Sequence, residues 1–444
     1  MRAVITASIL MAVIALPAAA TVGQRYPSER KIVPDAITGR PLTLLTDGKH
    51  SDSKLYPTDQ QWAFDGRHII FRSGDRATGE GGQVFAVDEK TGDIVQITGG
   101  KGVNTSSVMV SRLANKVYYL RKGEDSRTTL SVIDLTALLN DSADGKISPK
   151  GYDTVLGTLP SDFKLSGGFT IDADGKTAYL GFTDYAPTPG QPPVRGTLSP
   201  QGVEAATHTT NIPAVRLNPI AQHPGGVMAM DLATGQSKVI VRTDFNVGHL
   251  QANPFKPGEL MYCKETGEDA DNRMWLVNGD GSNPHPVYHE ADSDWVTHEQ
   301  FADADHVIFN MMGFTKLLRQ RPTGLVIVSL RDGTMEDLGD VPMQDTEVPN
   351  PQWKGINSLW HNAVSYDGKY AGGDDFDGNL WLIERKTHKQ TLLSTGNFMA
   401  PDHEHPSFSP DSTRILIQSG RLTQGQRLSL VVMPVGDFKK AAGK

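Results

Sequence analysis

Short units of strand, turn and strand recur along this chain, and that repetition limits the available folds more than any other feature. One half-repeat has the form Phe-x-x-Asp-Gly-x-x-x-x-Phe, as in Trp62-Ala63-Phe64-Asp65-Gly66 before His68-Ile69-Ile70-Phe71, and again in Phe169–Gly175 before Ala178-Tyr179-Leu180. The other is an alternating strand, Asp-x-x-Thr-Gly and a second strand: Val84–Asp88 with Thr91-Gly92, and Val227–Asp231 with Thr234-Gly235. Turn residues between short alternating strands give antiparallel hairpins, and two hairpins in series make a four-stranded sheet. Inner strands fall near residues 60, 107, 167, 248, 297, 361 and 404. A unit of four strands recurring at this spacing predicts an all-β, seven-bladed β-propeller with four antiparallel strands per blade.

Ring closure leaves its own trace. Asp35–Thr46 reads as the outer half of a repeat with no inner half before it, whereas the last blade starts at His403 and has its third strand near Leu428–Met433. An N-terminal strand completing the C-terminal blade would close the ring and cover an edge that otherwise invites aggregation. Excess length over one blade is insertion, and the longest, about Asp184 to Pro224, is rich in Pro, Gly and Thr and reads as a loop over one face.

Residues 1–20 stand apart: Arg2, an apolar run Ala3–Leu16, then Pro17 and Ala18-Ala19-Ala20, the order of a cleaved secretory signal peptide. The expected mature chain, 21–444, is a single propeller, not membrane-embedded, that is periplasmic or secreted. Cys263 is the one cysteine, so no intramolecular disulfide is available, and Leu260-Met261-Tyr262-Cys263 reads as a buried strand. A net charge of −8 without a dense basic run excludes nucleic acid as a partner, and any acidic substrate would need a local cationic pocket.

Inner strands of a propeller line its central channel, so their starts face one another. Four consecutive blades begin with histidine: Gly248-His249-Leu250, Thr297-His298-Glu299, Trp360-His361-Asn362 and His403-Glu404-His405-Pro406. On a strand, His403 and His405 share a face and Glu404 takes the other. The chain holds 13 histidines, so five at equivalent places argues for convergence on the axis. Imidazoles meeting there suit a borderline transition metal, with carboxylate, amide or water completing the shell. Glu299, Asp402 and Glu404 are the nearby carboxylates, but alternation aims Glu299 and Glu404 away from the neighbouring histidines. Each histidine can also be structural, bonded to a turn, and His361 is read either so or as a substrate contact.

Leu55-Tyr56-Pro57-Thr58, the Phe64-Asp65-Gly66 turn, Gly248–Pro254 with Leu260–Cys263, Thr297-His298-Glu299 and His403–Asp411 together resemble the oligogalacturonate lyases, seven-bladed polysaccharide lyases that degrade pectin. The resemblance covers most of the mature chain and is strongest from His249 onward. It implies a divalent metal, manganese, held by His298, His403 and His405. The family places a glutamine ligand where this chain has Ala400. The resemblance further implies that His249 abstracts the proton. The assisting arginine is missing at its expected place, where His223-Pro224-Gly225-Gly226 stands, and Arg216 is the nearest candidate. The implied partner is an oligogalacturonide or related acidic oligosaccharide, cleaved by β-elimination to an unsaturated uronate. Two other readings stay open: a non-catalytic periplasmic propeller of the TolB kind, whose Ser-Pro-Asp turns are similar, and a hydrolase in which the same metal activates water.

Overall fold

The computed structural model describes residues 22–77, 81–184, 223–265, 272–290, 296–311, 324–340, 359–398 and 400–436. The signal-peptide reading of residues 1–20, Arg216 and nearly all of the expected loop from Asp184 to Pro224 lie outside them.

Local turn chemistry explains why the strands form where they do. In the Asp-x-x-Thr-Gly hairpin, Asp231 Oδ1 accepts from the amides of Ala233 and Thr234 and from the Thr234 hydroxyl. Gly235 then takes φ +71° and returns its own amide to the Asp231 carbonyl. An aspartate side chain caps the turn, and a residue without a Cβ reverses the chain. Asp88 does the same for Lys90 and Thr91, ahead of Gly92 at φ +79°.

Among the described residues these hairpins build seven antiparallel sheets, five of four strands and two of five. The inner strands are Asp52–Lys54, Val103–Val110, Leu165–Ile171, Val247–Ala252, Val296–Asp303, Leu359–Val364 and Ser407–Phe408, here numbered blades 1 to 7. The sole helix among the described residues, Leu135–Asp144, lies between the two outer strands of blade 2 and is capped by Asp134.

Packing turns the row of sheets into a ring. Seven buried apolar clusters each join two consecutive blades, and one of them joins blade 7 to blade 1 through Leu416, Leu430 and Val432 against Trp62, Ile69 and Phe71. Each sheet is covered on both faces, so central strands such as Gln83–Asp88 and Gly324–Ser329 are buried at every position. Closure is as expected: Pro41–Leu44 pairs antiparallel with the last strand, Ser429–Pro434, and Lys31–Pro34 adds outside it. The N-terminus also lends Arg25–Tyr26 to the outer edge of blade 1, a fifth strand that four per blade did not foresee.

Just past the far ends of two inner strands, side chains meet across the ring. There Arg112 of blade 2 reaches Tyr366 of blade 6, donating to its hydroxyl at 2.9 Å with the guanidinium 5.3 Å from the ring centre. The histidines lie toward the other end.

Candidate active site

Backbone irregularity places the key side chains. His249, His298 and His405 all adopt positive φ, +43°, +54° and +51°. In blades 4 and 5 strand register slips at these points, between Gly248 and Gln251 and between Thr297 and Gln300. Such a bulge leaves one residue unpaired and re-aims its side chain, at a cost of order 1–3 kcal/mol for a non-glycine residue. In blade 7 the paired strand starts only at Ser407, so His403 and His405 lie in the segment before it and not on a regular strand. Their rings stand nearly perpendicular, 5.9 Å apart.

Two groups result. In the first, His361, His403 and His405 bring one ring nitrogen each within 4.8 Å of one another, and the His298 ring lies 4.1 Å from that of His361. His361 is 2% exposed, and its Nδ1 is 3.0 Å from Asp374 Oδ2. Burial by itself would raise the Asp374 carboxyl, but the charge and hydrogen bonds of His361 outweigh it and hold it at about 2. An anion behind Nδ1 keeps the proton there and leaves the Nε2 lone pair free, the arrangement usual for metal-bound imidazole. His298 Nδ1 is buried without a hydrogen-bond partner. His403 Nδ1 accepts from the Trp360 indole at 2.8 Å, and Gln418 Nε2 reaches Asp402 Oδ2, the His403 carbonyl and His405 Nδ1.

Burial, then the neighbouring imidazoles, pushes His298 and His405 well below the ordinary histidine range, and His403 is lowered to about 4. A buried set of imidazoles with ring nitrogens gathered within 4.8 Å of one another fits a divalent transition metal. His361 thus joins the expected ligands His298, His403 and His405 in one cluster. Ala400 is exposed, and Gln418, whose Nε2 reaches His405 Nδ1, keeps a buried Oε1 without a partner.

The second group surrounds His249. Glu299 turns away from His298, as alternation required, and this takes it to His249 of the preceding blade: Nδ1 to Oε1 is 3.1 Å. Arg273 Nε donates to the other oxygen of Glu299 at 3.1 Å, and its Nη2 lies 3.7 Å from Glu265. Burial acts to raise Glu299, but Arg273 and His249 prevail and hold it at about 2, so it is a carboxylate that accepts from Nδ1–H. The lone pair of His249 therefore sits on Nε2, which faces the Tyr56 hydroxyl at 3.4 Å. The Tyr56 ring lies between the two groups, 5.3 Å from His249 and 5.6 Å from His405. Cys263 is buried as expected and joins His249 and Glu299 as a possible ligand trio, but Arg273 already supplies the cation there.

Sequence reasoning assigned no partner to Tyr56, Glu299, Asp374 or Arg273, the last of which is 4% exposed and ion-paired. Tyr56 and Glu299 stood inside motifs already singled out, whereas nothing in the sequence marked Asp374.

With this geometry established, comparisons with known proteins take on meaning. A family model described as oligogalacturonate lyase matches residues 219–338. The chain is 23% identical over 426 residues to an oligogalacturonide lyase of Pectobacterium atrosepticum, covering 89% of this chain and 94% of the relative. It is 24% identical over 414 residues to an oligogalacturonate lyase of Dickeya dadantii, covering 87% and 91%. Among solved structures, an oligogalacturonate lyase in complex with manganese superposes with a TM-score of 0.72 at 21% identity, covering 94% of this chain and 99% of that one. An oligogalacturonate lyase from Vibrio parahaemolyticus gives 0.70 at 20%, with the same coverage. The similarity to oligogalacturonate lyases is thus found by sequence over most of the chain, and the propeller is shared with their structures.

Proposed function

We propose that this chain is a metal-dependent lyase that cleaves oligogalacturonides, or a closely related uronide, by β-elimination to a 4,5-unsaturated product. The observation that carries the reading is His249, backed by a buried carboxylate, at the edge of a cluster of neutral imidazoles. The curated relatives are named for this activity, which disfavours a non-catalytic binding propeller.

The proton α to the uronate carboxylate is weakly acidic, so its removal needs a placed base and a stabilised carboxylate. His249 takes it at Nε2, while Glu299 holds the Nδ1 proton and offsets the charge of the imidazolium that forms. Arg273 keeps Glu299 ionised and in place. His361, His403 and His405, with His298 beside them, would hold a divalent cation, which when bound would supply Lewis-acid stabilisation of charge building on the substrate carboxylate. Manganese is the ion named for one structural neighbour. Asp374 orients His361, and Gln418 fixes the loop carrying His403 and His405. The Tyr56 hydroxyl, 3.4 Å from His249 Nε2, lines the same cavity as that base. The leader-like residues 1–20 support export, so the substrates would be uronides met in the periplasm or outside the cell.

The deciding experiment follows ultraviolet absorbance of the conjugated product when the mature protein meets di- and trigalacturonate, with and without manganese, beside a His249→Ala variant. A rise that requires metal and vanishes in the variant is expected. Absence of any rise together with absence of metal binding would sink the lyase reading and leave the binding propeller.

A further inference from the structure

A cavity of about 300 Å³ opens in front of His249, walled by blades 1 to 4. Tyr56, His249, Arg72, Ser106, Gly167 and Gly168 are among the residues that line it. Among the described residues that line it, which also include Asp59 and Glu265, Arg72 is the one basic side chain apart from His249. Its hydrogen-bond partners carry no charge. Nε donates to Ser53 Oγ at 3.0 Å, the residue directly across the strand pair, and Nη1 reaches Ser106 Oγ at 3.5 Å. Both are neutral hydroxyls.

Of the buried arginines, Arg76 is matched to Glu29 and Asp52 and Arg273 to Glu299, while Arg40 is held by the carbonyls of Pro434 and Gly436. Among the described residues Arg72 has no carboxylate within ion-pair distance. Asp59 and Asp402 act on it only from farther off. Burial lowers its affinity for its proton, but arginine stays charged at any working pH. A desolvated cation with neutral partners is costly alone and favourable once an anion docks. The planar fork of donors, two of its sites already fixed by serines, suits a carboxylate.

We propose that Arg72 is the carboxylate-binding residue of a subsite for the uronate ring next to the one His249 attacks. The position of that ring rests on the lyase reading; recognition of its carboxylate does not. Arg72 is thus a specificity residue: the cavity takes a polyanionic sugar chain and discriminates against one whose carboxyls are esterified.

The test uses His249→Asn protein, which cannot turn substrate over, loaded with manganese and titrated calorimetrically with trigalacturonate and with its methyl ester. The same titrations follow on His249→Asn with Arg72→Gln and with Arg72→Lys. Loss of one charge-assisted contact predicts about 10–100-fold weaker binding of the acid in the Gln variant. Binding of the ester should hardly change, so the preference for acid over ester shrinks by that factor. The Lys variant keeps the charge without the fork and should recover part of it. Equal metal content and melting temperature in all three proteins separate this from misfolding. Unchanged acid binding in Arg72→Gln, or an acid preference that persists there in full, would overturn the proposal. Ultraviolet assay of the protein with His249 and Arg72 intact judges the lyase reading separately: an Arg72-dependent acid preference without any elimination would leave this subsite standing and remove the reaction.

Discussion

Glu299 lies one residue from His298, yet its carboxylate serves His249, 50 positions earlier and one blade away. Strand alternation told which side of its own strand it would take, but the partner is fixed by how neighbouring blades stack, which no local pattern records. Its effect can be isolated. Glu299→Gln keeps the size and removes the anion, so Nδ1 no longer holds its proton against a negative charge. Turnover should fall by about 10²–10⁴-fold with little change in KM, because the lost interaction strengthens only as the imidazolium forms. Steady-state ultraviolet kinetics checks this, and unchanged metal content separates it from damage to the imidazole cluster. Asp374 is the counterpart on the metal side. Asp374→Asn should weaken manganese binding about 10–100-fold, the usual penalty for losing the group behind a ligating histidine, read by calorimetry on the protein without substrate. Binding as tight as in the parent would remove His361 from the ligand set.

At the scale of elements, what could be read in the sequence and what could not divide along one line. Turns were legible because their chemistry is local: Asp231, Thr234 and Gly235 make every contact of their hairpin within five residues. Five of the seven inner strands span the positions that spacing gave them; blade 1 begins early, at Asp52, and blade 7 pairs only from Ser407, after its histidines. Bulges were not legible. Gly248 and Thr297 precede histidines forced to positive φ because the axis needs their rings, not because histidine prefers that backbone. Ring closure was legible, and its strength is testable. Leu42 and Leu44 of the N-terminal strand are buried with Ile415, Ile417 and Val431 of the blade they complete. Leu42→Ala should destabilise the protein by about 2–5 kcal/mol, as for other fully buried leucines. Urea unfolding should register the loss, while metal binding, beside the inner edge of that sheet and three strands from Leu42, stays as it was. A loss under 1 kcal/mol would mean that the closing strand contributes little to holding blade 7.

For the molecule as a whole, folding must bury imidazoles that prefer water, and this couples stability to pH. His403 falls from 6.5 to about 4 on folding, through burial first and then the charge of His361. Between these values the unfolded chain binds a proton at this position and the folded chain does not, so stability drops as pH falls from 6.5 toward 4 and is fully retained above 6.5. His298 and His405, lowered by burial too, act in the same direction. Below that window Glu299 and Asp374, both held at about 2, lose their stabilising charge in turn as pH falls from the ordinary carboxylate range toward 2. Two buried carboxyls oppose the trend: Asp59, raised to about 7, and Glu404, raised by burial and by the charge of Asp374. Comparison of two proteins cancels these opposing terms. Metal-free parent and His403→Asn, unfolded in urea at steps from pH 7 to pH 4, should differ in slope, with the variant losing less stability across the window. Manganese binds only the unprotonated rings, so adding it should stabilise the parent at pH 7 and progressively less toward pH 4. Parallel curves for the two proteins would show that His403 meets solvent freely when folded. That would contradict the buried imidazole cluster on which the metal site depends.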